Sequence, residues 1–366
     1  MRIQRIDLIH LAIPLKKTFE TSFGVIQDRP ALIIKMTTDD GLIGFGESSP
    51  LYVPISESET VKESLPILKQ ILPRILNASL GGKDDLKEIL NFYSDFPVSK
   101  IGIEAAYFHL LSLQSGVSLS DFIGGRQRVI EVGESAGIKP SVAELIAEVK
   151  TFIDQGHKRV KIKIKPGHDL EIMRETRRNF PDLRLAADAN AAYTADDVEY
   201  LAKLVELNLM FVEQPFKADD LSSHARLKNL GLPICLDESV KDLASCQLAM
   251  ETGACDMINI KLARIGSLSE SLRIHDYCLE KGVALFGGGR METGLGKTIN
   301  AHFYSLPGFT LPADLTPPLE YFEDDIISPP LLVENGEYKI SERKGLGIEI
   351  DEEMVKKYTK EIFTFE

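Results

Sequence analysis

Residues 160–166 read VKIKIKP, and four short runs echo it further down the chain: LAADAN at 185–190, MFVEQP at 210–215, PICLDES at 233–239 and INIKLAR at 258–264. Each run is apolar until it meets a charge. Those charges are Lys163, Asp188, Glu213, Asp237 and Lys261, at successive intervals of 25, 25, 24 and 24 residues. A strand, a loop and a helix occupy about that length when they repeat. The five charges therefore fall at the C-terminal ends of five successive parallel strands, where a (β/α)8 barrel keeps its chemistry.

The first run carries a second signal. Barrel strands are covered on both sides and ordinarily read as unbroken apolar stretches. Here Lys161, Lys163 and Lys165 alternate with Ile162 and Ile164, so a period of two sets the lysines on one face. A solvated edge strand would read this way too, but the repeat around it argues for lysines pointing into a polar barrel mouth. Desolvated ammonium groups need partners, and the carboxylates of the next three units supply them.

Beyond these runs, the chain suits an α/β fold: a (β/α)8-type, modified TIM barrel with an N-terminal α+β capping domain. Residues 3–13, 30–37 and 41–50 read as antiparallel strands, followed by helical periodicity over 61–77, 84–94 and 99–114. Strands and then helices, before any strict alternation begins, mark residues 1–125 as the capping unit. The barrel spans 126–312, its first strand in VIEVGESAG (129–137), its seventh in VALFGGG (283–289) and an imperfect eighth in GFTLPADL (308–315). Residues 313–366 return to the capping domain. The polar, glycine-containing stretch KKTFETSFGVIQDR (16–29) reads as a mobile loop.

The formal net charge of −13 argues against nucleic acid or an anionic membrane as partner, because both need a basic face. It leaves room for a small anionic substrate, since lysines and a metal dominate locally in a cleft. Cys235, Cys246, Cys255 and Cys278 form no CxxC pair, which suggests reduced thiols in a cytoplasmic protein. No apolar run approaches membrane-spanning length, and the charged N-terminus is no signal peptide. GLGKT (294–298) imitates the end of a P-loop, but Met291 stands where that motif needs its first glycine.

Asp188, Glu213 and Asp237 form an all-oxygen donor set that suits a hard divalent cation: Mg2+, with Mn2+ as a substitute. Lysines on either side of such a cation point to proton removal from carbon next to a carboxylate. One lysine takes the proton while cations stabilise the enediolate.

In order and spacing, KIKIKP, DAN, EQP, LDES, NIK and GGGRMETG resemble the muconate-lactonizing subgroup of the enolase superfamily. DANAAYT, METGLGKTIN and LPGFTLPADL are most similar to its o-succinylbenzoate synthase / N-acylamino acid racemase family. The resemblance covers nearly the whole chain. It implies Mg2+ on Asp188, Glu213 and Asp237, Lys163 and Lys261 as the acid–base pair, and Lys161 as their electrostatic helper. It also implies substrate contacts from Ser135, Asn190, Arg264, Gly289, Arg290 and Met291, and from Phe19 and Phe23 in the loop at 18–24. Arg264 matches an arginine associated with racemisation. Where the family commonly has GGM before the last Glu-Thr-Gly, this chain has Gly289–Arg290–Met291, and Arg290 either binds a substrate carboxylate or narrows the pocket. The implied activity is syn dehydration of 2-succinyl-6-hydroxy-2,4-cyclohexadiene-1-carboxylate in menaquinone biosynthesis, with racemisation of N-succinyl amino acids in the same site. The alternatives are a racemase without the synthase role and a dipeptide epimerase. Barrels of this kind often associate, so a homo-oligomer is compatible with the reading.

Overall fold

The computed structural model describes residues 1–366 apart from 22–23, 55–57, 77 and 79; the side chains of 19–26 also lie outside the description. The strand Ile3–Thr21 pairs with Gly24–Thr38, which pairs with Ile43–Ser48, all antiparallel. A fourth strand, Thr359–Phe365, adds to the outer edge of the first, with Ile6 opposite Phe365. The stretch expected to be a loop is a two-stranded ribbon at its base, with Phe19 opposite Ile26. The chain stays extended through Lys16, Lys17 and Thr18, which are exposed, so the polar composition there reflects exposure rather than a break. The Phe19 side chain and Phe23 lie outside the described residues.

The helix Pro97–Gln114 packs on this sheet and is buried from Val98 to Ser112, because it is covered on both sides. Glycines permit the close approach: a Cβ on Gly46 would sit 2.1 Å from the Gly102 carbonyl, and one on Gly102 2.3 Å from Ser48 Oγ. The opposite side of the helix faces the barrel. There Glu104 accepts from Leu268 N at 2.5 Å and Ser269 Oγ at 2.5 Å. It thereby serves one orphan backbone donor and one hydroxyl at the start of the barrel helix Leu268–Lys281.

Seven parallel strands run in chain order around the barrel: Glu134–Ala136, Val160–Lys163, Leu185–Asp188, Val212–Glu213, Ile234–Leu236, Met257–Ile260 and Ala284–Gly287. The segment 308–314 closes the ring by parallel bridges from Phe309 to Leu285 and from Ala313 to Val132. Asp314 N then donates to Gly287 O at 2.8 Å. Pro312 in this segment removes a donor, so only an irregular eighth strand forms.

Two local expectations change. VIEVGESAG is not one strand: Val129–Glu131 turns away to pair antiparallel with Glu337–Lys339, and the barrel strand starts at Glu134. The break falls at Gly133, where an added Cβ would meet the Arg159 guanidinium at 2.6 Å. The helix expected at 84–94 is shorter, Lys87–Asn91. Among the described residues no helix is long and apolar enough to cross a membrane.

Candidate active site

Register decides which side chains meet. Lys163, Asp188 and Glu213 are paired neighbours across three adjacent strands, so their side chains project into the barrel at one level. One layer down lies an apolar plug of Ala186, Phe211, Cys235 and Phe286, all fully buried. On the third, fourth and fifth strands the inward positions thus run from apolar to charged within two residues, Ala186 to Asp188, Phe211 to Glu213 and Cys235 to Asp237, as the period of two requires. Cys235 belongs to the plug, and burial pushes its thiol pKa well up, which suits a core residue rather than a nucleophile.

The inward cations are not the three lysines that alternation suggests. The strand ends at Lys163, and Lys165 leaves it to form an exposed turn with His168. The third member of the ladder lies below: Arg159, fully buried, whose Nη2 reaches Asp314 Oδ1 at 2.5 Å. Lys161 Nζ lies 2.5 Å from Glu213 Oε2, 3.0 Å from Asp314 Oδ2 and 3.5 Å from Asp188 Oδ2. Lys163 Nζ bonds Asp188 Oδ2 at 2.7 Å and also donates to Asn190 Oδ1. Across the mouth, Lys261 Nζ bonds Asp237 Oδ2 at 2.5 Å, and Arg264 pairs with the other oxygen of Asp237.

Backbone and amide groups hold these charges in place. Gln214, fully buried at φ 38°, accepts from Asp237 N at 2.9 Å and Ser239 N at 3.2 Å. Asn259 donates to Glu213 Oε1 at 2.7 Å. Asn190 and Ala191 also have positive φ, so the chain turns sharply after Asp188 and presents Asn190 to Lys163. Gln214, Asn259, Arg159 and Asp314 are not among the residues that the sequence singles out. The first three are readable as inward or flanking positions in EQP, NIK and RVKIK, whereas Asp314 follows no strand periodicity.

Burial acts on every group here, and neighbouring charges decide the outcome. Asp237 is buried, yet Arg264 and Lys261 hold its carboxyl at about 2. Asp188 is likewise lowered against burial by Lys161, Lys163 and Lys261. Glu213 goes the other way, to about 7, because burial and the charges of Asp188 and Asp237 outweigh Lys161. Lys161 is raised despite burial by Asp314, Glu213 and Asp188, and Lys261 is raised by Asp237.

The remaining expected contact residues lie in three places. Ser135 pairs with Lys161 and shares its inward face. Gly289, Arg290 and Met291 form the turn after the seventh strand; Met291 O docks it on the cap by accepting from Arg29 Nε at 3.1 Å, and within the turn Arg290 N donates to Glu292 Oε2 at 2.9 Å. Gly289 is needed for space, since a Cβ there would lie 2.3 Å from Asp314 O. Arg264 and Glu238 line a cleft of about 780 Å³ between barrel and cap, with Glu59 and Lys100 on its far side.

Three buried carboxylates on adjacent strand ends provide oxygen donors alone, and their mutual repulsion at Glu213 is the field a divalent cation would relieve. Their oxygens are turned to the lysines, and among the described residues no three acidic, histidine or cysteine side chains form a ready-made metal cage. The donor chemistry fits the cation; the side chains must exchange lysine for it.

Residues 144–354, more than half of the chain, match the enolase C-terminal domain-like family, and the chain belongs to it as an enzyme of the enolase superfamily. Enzymes of that superfamily depend on a divalent metal, generally Mg2+. Within the superfamily the chain is 40% identical to the o-succinylbenzoate synthase of Geobacillus kaustophilus, over 98% of this chain and 96% of that protein. It is 38% identical to the N-succinylamino acid racemase of Thermus thermophilus, over 98% of each. An enolase-superfamily crystal structure from Listeria innocua superposes with a TM-score of 0.95 at 32% identity, covering 100% of this chain and 99% of that one.

Proposed function

We propose that the chain is an o-succinylbenzoate synthase that also racemises N-succinyl amino acids. One observation carries the reading: Lys163 and Lys261 stand at opposite ends of the Asp188–Glu213–Asp237 row, on the second and sixth barrel strands. A carboxylate substrate lying over the row presents its α-carbon to both. The synthase relatives, matched end to end, favour dehydration among the reactions such a pair can start.

On this reading Asp188, Glu213 and Asp237 hold Mg2+, which supplies positive charge for the substrate carboxylate. Lys163 Nζ takes the α-proton of 2-succinyl-6-hydroxy-2,4-cyclohexadiene-1-carboxylate. Lys261, kept cationic beside Asp237, steadies the negative charge that spreads into the carboxylate. The Lys163 ammonium returns that proton to the 6-hydroxyl on the same face, which leaves as water and completes the aromatic ring. With an N-succinyl amino acid there is no leaving group, so the carbanion is reprotonated; return from Lys261 inverts the centre and return from Lys163 retains it. The racemase relative from Thermus thermophilus supports this second activity. Asn190, paired with Lys163, fixes the base at the end of its strand. The reading takes a reduced, cytoplasmic setting, in keeping with four free thiols, and a small anionic carboxylate as substrate.

The test is turnover of the cyclohexadiene carboxylate with and without Mg2+, alongside N-succinyl amino acids in D2O scored for deuterium at the α-carbon. Metal-dependent dehydration with exchange is the expected result. Exchange without dehydration would make the chain a racemase alone, and absence of both would reject the assignment.

A further inference from the structure

Lys161 commits its ammonium to three carboxylates at once. Its ammonium has three donors, and three carboxylates share it: Glu213, Asp314 and Asp188. Glu213 and Asp188 are two of the oxygen donors that the function above assigns to a divalent cation. A buried ammonium left without a counter-charge is costly. When the cation draws on Glu213 and Asp188, Lys161 therefore has to rest its charge on the third partner. We propose that Asp314 is a positioning residue: clamped by Arg159, it is the counter-ion onto which Lys161 shifts when a divalent cation takes the Glu213 and Asp188 carboxylates. This rests on the metal reading of those carboxylates.

Asp314 is built for that role from behind. One oxygen is bound by Arg159 Nη2 and the other by Lys161 Nζ. Arg159 has no freedom of its own: fully buried, it donates to the carbonyls of Glu134 at 3.2 Å and Pro312 at 3.1 Å and lies 5.1 Å from the centre of the Phe286 ring. Lys161 rests over the same ring at 5.0 Å. The carboxylate comes from the irregular segment that closes the barrel rather than from a strand end, so it approaches Lys161 without standing in the Asp188–Glu213–Asp237 row. Remove its charge, and Lys161 has only the cation's own ligands to bind. Lysine and metal then compete for the same oxygens.

Calorimetric titration of the metal-free full-length protein with Mg2+ measures this competition directly, without turnover. Asp314→Asn is expected to weaken Mg2+ binding about tenfold, the size typical of coupling within one charge network, and Asp314→Glu to restore most of it. In a Lys161→Met background the same Asp314→Asn change should cost less than about threefold, because the competitor is gone. A purely structural role would lower the melting temperature of both backgrounds alike and leave no such difference. Should Asp314→Asn strand Arg159 and fail to fold, Arg159→Met/Asp314→Asn removes anchor and carboxylate together and carries the same expectation. Unchanged Mg2+ affinity in these variants, or an equal loss with and without Lys161, would overturn the proposal while leaving the metal reading intact. A wild-type protein that binds no Mg2+ would overturn the metal reading itself.

Discussion

Asp237 carries more of the site's electrostatics than its single charge suggests, because Lys261 and Arg264 both lean on it. Replacing it with Asn leaves two cations facing one another and removes a negative charge from the donor set proposed to hold the metal. Asp237→Asn is expected to weaken Mg2+ binding at least tenfold by calorimetry; unchanged affinity would move the metal elsewhere. Gln214 offers a cleaner structural test. Its side-chain oxygen accepts two backbone N–H groups of the Asp237 loop, and its nitrogen donates to Ser239 Oγ at 2.8 Å and Phe216 O at 3.0 Å. Gln214→Ala strands those two N–H groups in the core, at about 2–6 kcal/mol, since each buried unsatisfied donor costs about 1–3 kcal/mol. Urea unfolding measures the loss, and a change below about 1 kcal/mol would show that water replaces the amide. Most of these residues are legible in the chain itself. A charge ending each apolar run marks an inward strand terminus, so Lys163, Asp188, Glu213, Asp237 and Lys261 can be read directly. Lys165 misleads because alternation does not say where a strand stops. Arg159 hides because the same alternation also runs backward, below the run of lysines.

Between elements, glycines and buried acids set how closely the cap can approach. The helix Pro97–Gln114 lies against the capping sheet through Gly44, Gly46 and Gly102, and a methyl group at Gly102 would meet Ser48 Oγ, Ser48 N and Ile34 at under 3 Å. Gly102→Ala is therefore expected to destabilise the protein by about 1–3 kcal/mol, the usual cost of overpacking. Denaturant unfolding of the variant decides it, and wild-type stability would mean that the helix can shift outward without loss. The alternation of strands and helices in the barrel is legible because each unit is local. Pairings across the length of the chain are not: nothing near Ile6 in sequence announces Phe365 as its neighbour, nor does Val129–Glu131 announce Glu337–Lys339. The place of the eighth strand can be read but not its content, since Asp314 owes its position to Arg159 and Lys161 rather than to any repeat.

At the scale of the molecule, cap, barrel and C-terminal segment meet at His302. Its Nδ1 accepts from Ser120 N at 3.1 Å, in a capping-domain helix, so the ring hydrogen sits on Nε2, which donates to Leu346 O at 3.0 Å. Both nitrogens are committed, and a second proton would point at the Ser120 N–H. His109 is held in the same way, its Nδ1 accepting from Phe45 N at 3.0 Å. Burial lowers both rings to about 4, against an ordinary histidine value of 6.5. Because the folded values lie below the unfolded one, the unfolded chain binds more protons between pH 6.5 and 4, and stability falls as pH falls through that window. Each ring accounts for up to roughly 3 kcal/mol of that loss, because every pH unit between its folded and unfolded values is worth about 1.4 kcal/mol. His302→Gln keeps an acceptor for Ser120 N and a donor for Leu346 O but cannot titrate. It should be less stable than the wild type at pH 7 through imperfect geometry, yet lose less on acidification, so that the two urea midpoints converge toward pH 4. Parallel midpoint curves would show that acid acts through other groups and that the three-way contact at His302 does not gate the docking of cap on barrel.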